Sequence, residues 1–189
     1  MWEFYTGFFS WIPSHIGKKV RYIVLKPLFK RSGIFFIDTG VTILGFDNIE
    51  LGDNVNIMKN SYLYAHDGGL LKIGDNFSMN TNVQIGAAQG KITIGNNVSI
   101  GPNCVLRAAN HSYERTDIPI NRQGHTYGEI VIEDDVWIAS NCVITAGSVL
   151  RRGSIVSAGS VVKGEVKEYS IVGGSPAALI RNRKSGDTV

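Results

Sequence analysis

Apolar residues recur at every sixth position through most of the chain. They fall into five sets of three: Leu51, Ile57 and Leu63; Ile73, Met79 and Ile85; Ile94, Ile100 and Leu106; Ile132, Ile138 and Ile144; and Leu150, Val156 and Val162. Two inward residues that flank one outward residue make the period-2 pattern of a short strand, and the Gly, Asn and Asp residues between the sets favour turns. A helical period of 3.6 cannot produce this spacing. The pattern predicts an all-β fold in which three short strands make one circuit of a triangular prism.

One seven-residue motif restarts this pattern at intervals along the chain. Close copies of Ile-Glu-Leu-Gly-Asp-Asn-Val occupy residues 49–55, 71–77, 92–98 and 130–136. Weaker hexads at Ile37 and Ile43 add a partial coil in front. Because neighbouring strands lie about 4.8 Å apart, successive circuits stack into a solenoid. We predict a parallel β-helix of about five to six coils.

The hexad pattern breaks at one corner of the predicted prism. Asp67, Gln89 and Asn110 replace the small inward residue in the third hexad of successive coils, and extra residues accompany each of them. The longest insertion is a polar loop at 110–131 that contains His111. Long polar loops on a rigid scaffold usually carry function. We therefore expect functional residues at this corner.

Outward residues become apolar in the later coils. The apolar outward positions are Val105, Trp137, Val143, Val149, Ile155 and Val161. Exposed apolar residues on a regular face are typical of a partner surface, although the β-propensity of a solvated strand is an alternative explanation. We expect a homo-oligomer with closed symmetry that buries these faces.

Composition and charge narrow the class of protein. The chain has 189 residues, of which 19% are charged and 22 are Gly, and no apolar run is long enough to cross a membrane. Two distant cysteines cannot make a disulfide framework or a four-ligand zinc site, which favours a reducing, cytoplasmic setting. The formal charge of +3 divides into +5 for residues 1–31, with six Lys and Arg against one Glu, and −2 for the remainder. The body therefore lacks the basic cluster of a nucleic-acid-binding protein.

The basic segment predicts a helical arm in front of the β-helix. Residues 14–26 favour an amphipathic helix whose apolar stripe includes Ile16 and Ile23, with Arg21 off the stripe. With six aromatic residues before it, this helix suits a membrane surface. Alternatively, the stripe docks on the end of the prism and caps its open strands.

Four segments stand out from the hexad background. They are Asn-His at 110–111, Val-Trp-Ile-Ala-Ser at 136–140, Ser-Ala-Gly-Ser-Val-Val at 157–162 and Tyr-Ser-Ile-Val-Gly-Gly-Ser-Pro-Ala at 169–177. Together with the hexads, they resemble the hexapeptide-repeat acyltransferases, in particular the maltose and galactoside O-acetyltransferases and related enzymes of surface-polysaccharide modification. The resemblance covers roughly residues 45–182. It implies a left-handed parallel β-helix, a homotrimer with active sites between subunits, and metal-free transfer of acetyl from acetyl-CoA to a sugar hydroxyl.

The same resemblance implies roles for individual residues. His111 matches the catalytic base, and Asn80 and Asn82 match acceptor-contacting positions. The residues expected to bind acetyl-CoA are Trp137, Ala139, Ser140, Ala158, Lys163 and Arg181. Family members often read Thr-Lys where this chain has Lys-Gly at 163–164, and Pro-Ala-Lys where it has Pro-Ala-Ala at 176–178. Binding of the CoA phosphates is therefore expected at Lys163, Arg181 or Arg183.

His111 has the chemistry that ester formation requires. A hydroxyl that keeps its proton is a poor nucleophile. A histidine, with an ordinary pKa of about 6.5, can accept that proton near neutral pH and return it to the departing thiolate. A solvated loop histidine is the alternative. Backbone N–H groups around Ala139 and Ser140 are the expected donors to the oxyanion. Cys104 and Cys142 fall on inward positions and are expected to fill the core rather than act as nucleophiles.

Three histidines in the body raise the question of a metal. The γ-type carbonic anhydrases share this prism and use three histidines for zinc, two of them closely spaced on neighbouring strands. His66, His111 and His125 do not have that spacing, so we expect no metal. His66 is expected to be a turn residue or to touch the acceptor.

The resemblance therefore implies an acetyl-CoA-dependent O-acetyltransferase that acts on a saccharide or lipid-linked glycan in bacterial surface-polysaccharide (capsule, O-antigen or exopolysaccharide) biosynthesis. It is expected in the cytoplasm or at the inner face of the cytoplasmic membrane, with residues 1–31 as the membrane contact. N-acetylation of a nucleotide-linked amino sugar and a non-catalytic scaffold are the alternatives. The expected domains are the arm (1–33), the β-helix (34–175), and a short C-terminal helix and tail (176–189).

Overall fold

Three walls of short parallel strands enclose the hydrophobic core. The computed structural model describes residues 2–183, with side chains from residue 6 onward. The chain visits the three walls in turn, and each strand pairs in parallel with the strand one circuit away, as Ile92 does with Leu71. Six complete circuits and part of a seventh result. The predicted parallel β-helix is confirmed.

The walls are built from strands of two to six residues. The first wall contains β1 (Arg31–Ser32), β4 (Ile49–Leu51), β7 (Leu70–Ile73), β10 (Lys91–Ile94), β15 (Glu129–Ile132), β18 (Val149–Leu150) and β21 (Glu165–Val166). The second wall contains β2 (Phe35–Ile37), β5 (Val55–Ile57), β8 (Ser78–Met79), β11 (Ser99–Ile100), β16 (Trp137–Ile138), β19 (Ile155–Val156), β22 (Ser170–Gly174) and β23 (Ala177–Asn182). The third wall contains β3 (Thr42–Leu44), β6 (Tyr62–Tyr64), β9 (Gln84–Gly86), β12 (Val105–Arg107), β17 (Val143–Thr145) and β20 (Val161–Val162). Two further strands, β13 (Ala109–His111) and β14 (His125–Tyr127), form a hairpin outside the walls.

The fifteen apolar residues at six-residue spacing form the centre of the prism. Each of them is at most 4% exposed. Residues of one circuit stack on those of the next, as Ile85 does on Leu63. Burial of an aliphatic side chain contributes about 1.5–3 kcal/mol before chain entropy is subtracted, so this column supplies the main stabilisation of the fold.

Asparagines turn the chain at the corners. Asn54, Asn76 and Asn97 occupy the same corner in successive coils, with φ of 58°, 54° and 57°. Asn tolerates this left-handed conformation better than most residues. Their side-chain amides form a ladder, in which Asn54 donates to Asn76 at 3.0 Å and Asn76 donates to Asn97 at 3.2 Å. The predicted turn residues therefore also tie one coil to the next.

The N-terminal arm covers the open end of the first coil. It forms α1 (Trp2–Ser10) and α2 (Ser14–Leu25), followed by a short 3-10 turn. Helix α2 packs on β2, and Leu25 and Phe29 join the core of the prism. The capping alternative thus describes how the arm docks. The 3-10 turns are Lys26–Leu28, Phe46–Asn48 and Ile120–Arg122.

The buried face of α2 differs from the apolar stripe of the sequence. Its buried residues are Gly17, Arg21 and Leu25, whereas Ile16 and Ile23 are each 71% exposed. The reason is a close approach of the backbone, because a Cβ at Gly17 would lie 1.9 Å from the carbonyl oxygen of Ile12. The helix packs with Gly17 facing this contact, and the predicted apolar stripe therefore faces outward.

Arg21 is the polar anchor of the arm rather than a solvated cation. It is 2% exposed. Its Nε donates to the carbonyl of Ile37 at 2.8 Å, and its Nη1 donates to the carbonyls of Ile12 at 2.8 Å and Phe9 at 3.1 Å. A guanidinium offers five donors in a fixed plane, so one side chain connects α1, the inter-helix turn and the first coil.

No helix among residues 2–183 is long and apolar enough to cross a membrane.

The predicted C-terminal helix is a strand. The chain reverses after Gly173 and Gly174, and β23 pairs antiparallel with β22. Gly174 has φ of 102°, which favours glycine. A solvated helix of about eight residues has little stability of its own, whereas pairing satisfies the open edge of β22. The stretch of the predicted tail beyond residue 183 lies outside the described residues.

Candidate active site

A long excursion leaves the prism between the third and first walls. After β12 the chain forms the antiparallel hairpin of β13 and β14, and it returns to the first wall at β15. His111 is in register with His125, and their ring centroids are 4.3 Å apart. Both side chains are exposed. The candidate base therefore lies at an exposed corner on a paired strand.

Polar contacts hold the tip of this excursion. Gln123 Nε2 donates to the carbonyls of Arg115 at 2.7 Å and Ile118 at 3.1 Å, and the N–H of Arg115 donates to Gln123 Oε1 at 3.0 Å. The Arg115 guanidinium donates two hydrogen bonds to Asp117. These bonds give a long loop a defined shape, which in turn positions the strand that carries His111.

A polar and aromatic cavity of about 410 Å³ lies beside the hairpin. The residues that line it include Tyr62, Tyr64, His66, Gln84, Arg107 and His125. The rings of Tyr62 and Tyr64 are 4.8 Å apart, and those of Tyr64 and His66 are stacked at 5.5 Å. Aromatic faces with hydrogen-bonding tips suit a ligand that offers both apolar faces and hydroxyl groups.

Gly86 makes room for the Tyr64 ring. Position 86 lies between Tyr64 and Arg107 in the register of the third wall. A Cβ at Gly86 would lie 2.1 Å from the Tyr64 phenol. The Arg107 guanidinium is 5.8 Å from the Tyr64 ring centroid, within cation–π range. The hexad pattern does not predict this cluster, whose one signal in the sequence is a glycine at an outward strand position with Tyr and Arg one coil away on either side.

Burial and charge shift the pKa of the Tyr64 phenol in opposite directions. Burial raises the pKa of the Tyr64 phenol, and the positive charge of Arg107 opposes that rise. Because burial raises its pKa, the hydroxyl of Tyr64 stays protonated near neutral pH and can donate a hydrogen bond to a ligand.

A carboxylate orients the imidazole of His66 in the same cavity. His66 Nδ1 lies 2.6 Å from Asp67 Oδ2.

The other residues expected in the site lie mainly at a different corner, between the second and third walls. Asn80 and Asn82 lie between β8 and β9, Ser140 lies between β16 and β17, and Ala158 follows one coil later. Each is exposed or half-buried. Trp137, on β16, is 52% exposed. This corner presents small side chains and one indole along the prism axis.

Two of these residues are already engaged in hydrogen bonds within the fold. Asn82 has φ of 59° and its Nδ2 donates to Asn103 Oδ1 at 3.1 Å, so it belongs to a turn ladder. The N–H of Ala139 donates to the carbonyl of Val156 at 2.9 Å. Because the N–H of Ala139 is already bonded, the N–H of Ser140 is the one that remains of the two expected oxyanion donors.

The three basic residues expected near the CoA phosphates have different surroundings. The Arg183 guanidinium donates to Asp135 Oδ2 at 2.9 Å, at the corner between the first and second walls. Arg181 is exposed on β23. Lys163 is exposed at the corner between the third and first walls, which also carries His111. Arg183 is therefore the one of the three that a carboxylate already neutralises.

The two cysteines occupy their predicted place in the core. Cys104 and Cys142 are each 0% exposed. Their Sγ atoms donate to backbone carbonyls, that of Cys104 to Ala139 at 3.0 Å and that of Cys142 to Ser157 at 3.2 Å. The contact with Cys142 and burial both raise the pKa of the Cys104 thiol. No three His, Cys, Asp or Glu residues in the described stretch of the chain are placed to hold a metal ion.

Within one chain the two corners stay apart. The third wall separates His111 from Ser140, and one side of such a prism measures roughly 15 Å at about 3.3 Å per residue. Between them runs an outward column of Val105, Val143 and Val161, each half-buried. The side chains at one corner thus do not reach those at the other in a single copy.

Sequence and fold are similar to those of known acetyltransferases. The galactoside O-acetyltransferase of Escherichia coli K12 is 32% identical over 66% of this chain and 60% of that protein. The Escherichia coli K12 protein WbbJ, named as a candidate O-acetyl transferase of lipopolysaccharide biosynthesis, is 28% identical over 71% of each chain. The hexapeptide-repeat acetyltransferase VCA0836 of Vibrio cholerae, crystallised with acetyl-CoA, aligns with a TM-score of 0.63 and 29% identity over 88% of this chain and 78% of that one.

These likenesses extend over most of the described fold. No protein-family model matches the chain, and the chain spans 58–62% of the length of several curated relatives. The six-residue repeat, the parallel prism and the similarity to both sugar acetyltransferases and a hexapeptide-repeat structure agree with one another. The homologues of this chain thus include a galactoside O-acetyltransferase and a hexapeptide-repeat acetyltransferase, and its fold is a β-solenoid.

Proposed function

We propose that this protein transfers the acetyl group of acetyl-CoA to a hydroxyl of a surface-polysaccharide saccharide, with His111 as the general base. The observation that carries the proposal is the position of His111. It is exposed on a paired strand, and its ring centroid lies 4.3 Å from that of His125, which lines the polar and aromatic cavity. The fold that presents it is similar to one that has been crystallised with acetyl-CoA.

The proposed chemistry is direct transfer. An imidazole nitrogen of His111 accepts the hydroxyl proton as the hydroxyl oxygen bonds to the thioester carbonyl carbon. The carbonyl oxygen becomes an oxyanion, to which the N–H of Ser140 donates. The C–S bond then breaks, and the protonated His111 returns its proton to the thiolate. The products are an acetyl ester and CoA with a free thiol. Neither cysteine takes part, because both thiols are buried.

The site is proposed to form between two copies of the chain. His111 and Ser140 lie at different corners of one prism, and the outward valines of the third wall give an apolar face between those corners. Packing that face against a neighbour removes apolar surface from water and brings one corner of each copy together. We propose a homotrimer, in which each of the three grooves combines His111 of one subunit with the Ser140 corner of the next.

Acetyl-CoA is proposed to lie along the Ser140 corner. Trp137 supplies an exposed apolar surface for the pantetheine arm, and Ala139, Ser140 and Ala158 leave the corner free of large side chains. Arg181 is the favoured contact for the CoA phosphates, with Lys163 from the other side of the groove, since both are exposed. The acceptor is proposed to meet Asn80 at this corner and to extend towards the aromatic cavity.

The outer side of the arm supports a membrane-surface location. Phe8, Trp11, Ile16 and Ile23 are 68–71% exposed, and Lys19 is exposed beside them. Apolar and aromatic side chains with a nearby lysine suit the interface of an anionic bilayer. We propose that the protein acts at the inner face of the cytoplasmic membrane. Co-sedimentation with anionic vesicles should fall at least tenfold in a Phe8→Ser/Trp11→Ser variant; equal binding by both proteins would refute this location.

A transfer assay tests the proposed reaction. The protein is incubated with acetyl-CoA and a panel of neutral sugars, amino sugars, nucleotide sugars and lipid-linked glycans, and thiol release is measured together with product mass. We expect thiol release that depends on a saccharide and an acetyl group that mild alkali removes. An alkali-stable amide on an amino sugar would show N-acetylation instead. Acetyl-CoA binding without turnover on any acceptor would favour a scaffold and contradict the proposal.

A further inference from the structure

We infer that the acceptor is amphiphilic, and that its apolar portion binds in a groove between the N-terminal arm and the first coil. The inference rests on the proposed function, since it names the kind of saccharide that the same site would accept. It is carried by a second cavity, by the chemistry of its walls and by its connection to the aromatic cavity.

The second cavity is a groove of about 880 Å³, roughly twice the volume of the aromatic cavity. Val24 and Leu28 form its wall on the side of the arm, and Ile43, Leu44 and Phe46 form its wall on the side of the first coil. Its volume lies within the range of about 300–1,000 Å³ that is usual for small-molecule sites. The groove is thus large enough for an alkyl, prenyl or aromatic group.

The walls of the groove are only partly covered by the protein itself. Leu44 points outward from β3, and Leu44, Val24 and Phe46 are each half-buried rather than buried. Apolar surface that faces water is unfavourable, so an apolar ligand gains free energy by covering it. The described residues that line the groove include no Lys or Arg, which does not favour a phosphate or carboxylate as the bound group.

The groove continues into the aromatic cavity. His66 lines both of them. Leu44 and Tyr64 are register partners on neighbouring strands, so the apolar wall passes into the aromatic wall within one strand spacing of about 4.8 Å. One molecule with a sugar at one end and an apolar aglycone at the other can therefore occupy both. The arm, which builds half of the groove, would thereby select the acceptor as well as cap the fold.

The test compares two glycosides of one sugar that differ in the length of the aglycone. Binding of octyl and methyl β-galactopyranoside to the full-length protein is measured by calorimetry without acetyl-CoA, below the micelle concentration, and kcat/KM is measured for both with acetyl-CoA. Each buried methylene strengthens binding about fourfold, so burial of three of the seven additional methylenes should already make the octyl glycoside bind about 60-fold more tightly. The same ratio is expected in kcat/KM where transfer occurs.

Two matched variants locate the effect. Leu44→Trp fills the groove and should reduce the octyl advantage at least tenfold, and Leu44→Ser, which removes its apolar wall, serves if the larger side chain prevents folding. Ile23→Trp changes an apolar residue that is 71% exposed and does not line the groove, so it should keep the wild-type ratio. Thermal unfolding of each variant shows that it is folded.

The outcomes separate this inference from the proposed function. Equal affinity for the two glycosides, or an octyl advantage that Leu44→Trp leaves intact, overturns the groove and leaves transfer to saccharides standing. Octyl binding that Leu44→Trp abolishes, without acetyl transfer to any acceptor, supports the groove as a ligand site and overturns the proposed function. An octyl advantage lost in Ile23→Trp as well assigns binding to the outer face of the arm and overturns the inference.

Discussion

At the scale of single residues, the histidines of this protein differ in what holds them. His111 is fixed by strand pairing and by the ring of His125, whereas His66 is oriented by the carboxylate of Asp67. A carboxylate on one ring nitrogen leaves the other nitrogen free, so this contact does not by itself distinguish the two histidines as bases. Proton transfer is proposed for His111 because it lies on the long hairpin excursion and matches the base position that the family resemblance implies.

Replacement of His111 by Ala should lower kcat about 10²–10⁴-fold, because the hydroxyl loses its proton acceptor. The dissociation constant for acetyl-CoA, measured by calorimetry, should stay unchanged. His15→Ala serves as the matched control, since His15 is exposed on α2 and lines neither cavity. A His111→Ala variant that keeps more than a tenth of the wild-type kcat would exclude it as the base.

The sequence predicts the positions of His111 and the core residues, but it does not predict side-chain contacts between coils. His111 could be placed because it follows a break in the hexads, and the core residues because each hexad repeats the same pattern. The Tyr64–Arg107 contact could not be predicted, because it depends on side chains from different coils and on the absence of a Cβ at Gly86. Nothing in the local sequence records which outward side chains stack across a wall.

At the scale of elements, corner hydrogen bonds connect each coil to its neighbour. Asp134 Oδ1 accepts from the N–H of Asn96 at 2.7 Å, and Asp134 Oδ2 accepts from Arg152 at 3.1 Å. The side chain of Asn96 has the equivalent role in the preceding coil, where it accepts from the N–H of Asp75 at 2.8 Å. An amide can therefore replace the carboxylate as the backbone acceptor, but it cannot pair with Arg152.

The Asp134 contacts predict a pH dependence of stability. The hydrogen bond from Asn96 and the charge of Arg152 lower the pKa of Asp134. Its contribution is thus full above the unfolded-state pKa of about 3.9, and it is lost as pH falls through the lower folded-state value. In urea unfolding, wild type should exceed Asp134→Asn in midpoint at pH 6 and lose that advantage towards pH 3. A difference between the two proteins that does not change with pH would contradict this account.

The arm predicts a second stability effect at this scale. Arg21→Met removes the donor to four carbonyl groups, and the expected cost is about 3 kcal/mol or more because these acceptors are left buried or partly buried without a partner. Arg21→Lys keeps the charge but not the planar fork, so its loss should be smaller. Urea unfolding and proteolysis within residues 1–30 measure both. Wild-type stability in Arg21→Met would show that the arm docks without this anchor.

Sequence patterns predicted strands better than they predicted the ends of the molecule. Each hexad is a local, repeated signal, and every predicted core position is buried. The orientation of α2 instead depends on the contact between Gly17 and Ile12, and β23 depends on the free edge of β22. Both are tertiary effects that helical periodicity does not register.

At the scale of the whole molecule, the prism places its candidate chemistry at two corners that one copy cannot join. His111 lies between the third and first walls, and Ser140 and Ala158 lie between the second and third. The breaks in the repeat predicted the corner that carries His111, whereas the family resemblance implied the residues of the other corner. The apolar outward positions predicted an oligomer. The geometry of the groove between copies could not follow from the sequence, because it depends on how two folded surfaces meet. The central claim is therefore acetyl transfer in a site shared by two subunits.

Subunit complementation tests that claim most directly. His111→Ala removes the base from one corner, and Ala158→Glu places a charge that repels CoA phosphates at the other, so each variant alone should be nearly inactive. When the two are unfolded together at equal concentration and refolded, mixed trimers should contain intact grooves, with about a quarter of the wild-type activity. A mixture no more active than the two separate variants, while both proteins refold and assemble, would contradict a shared site.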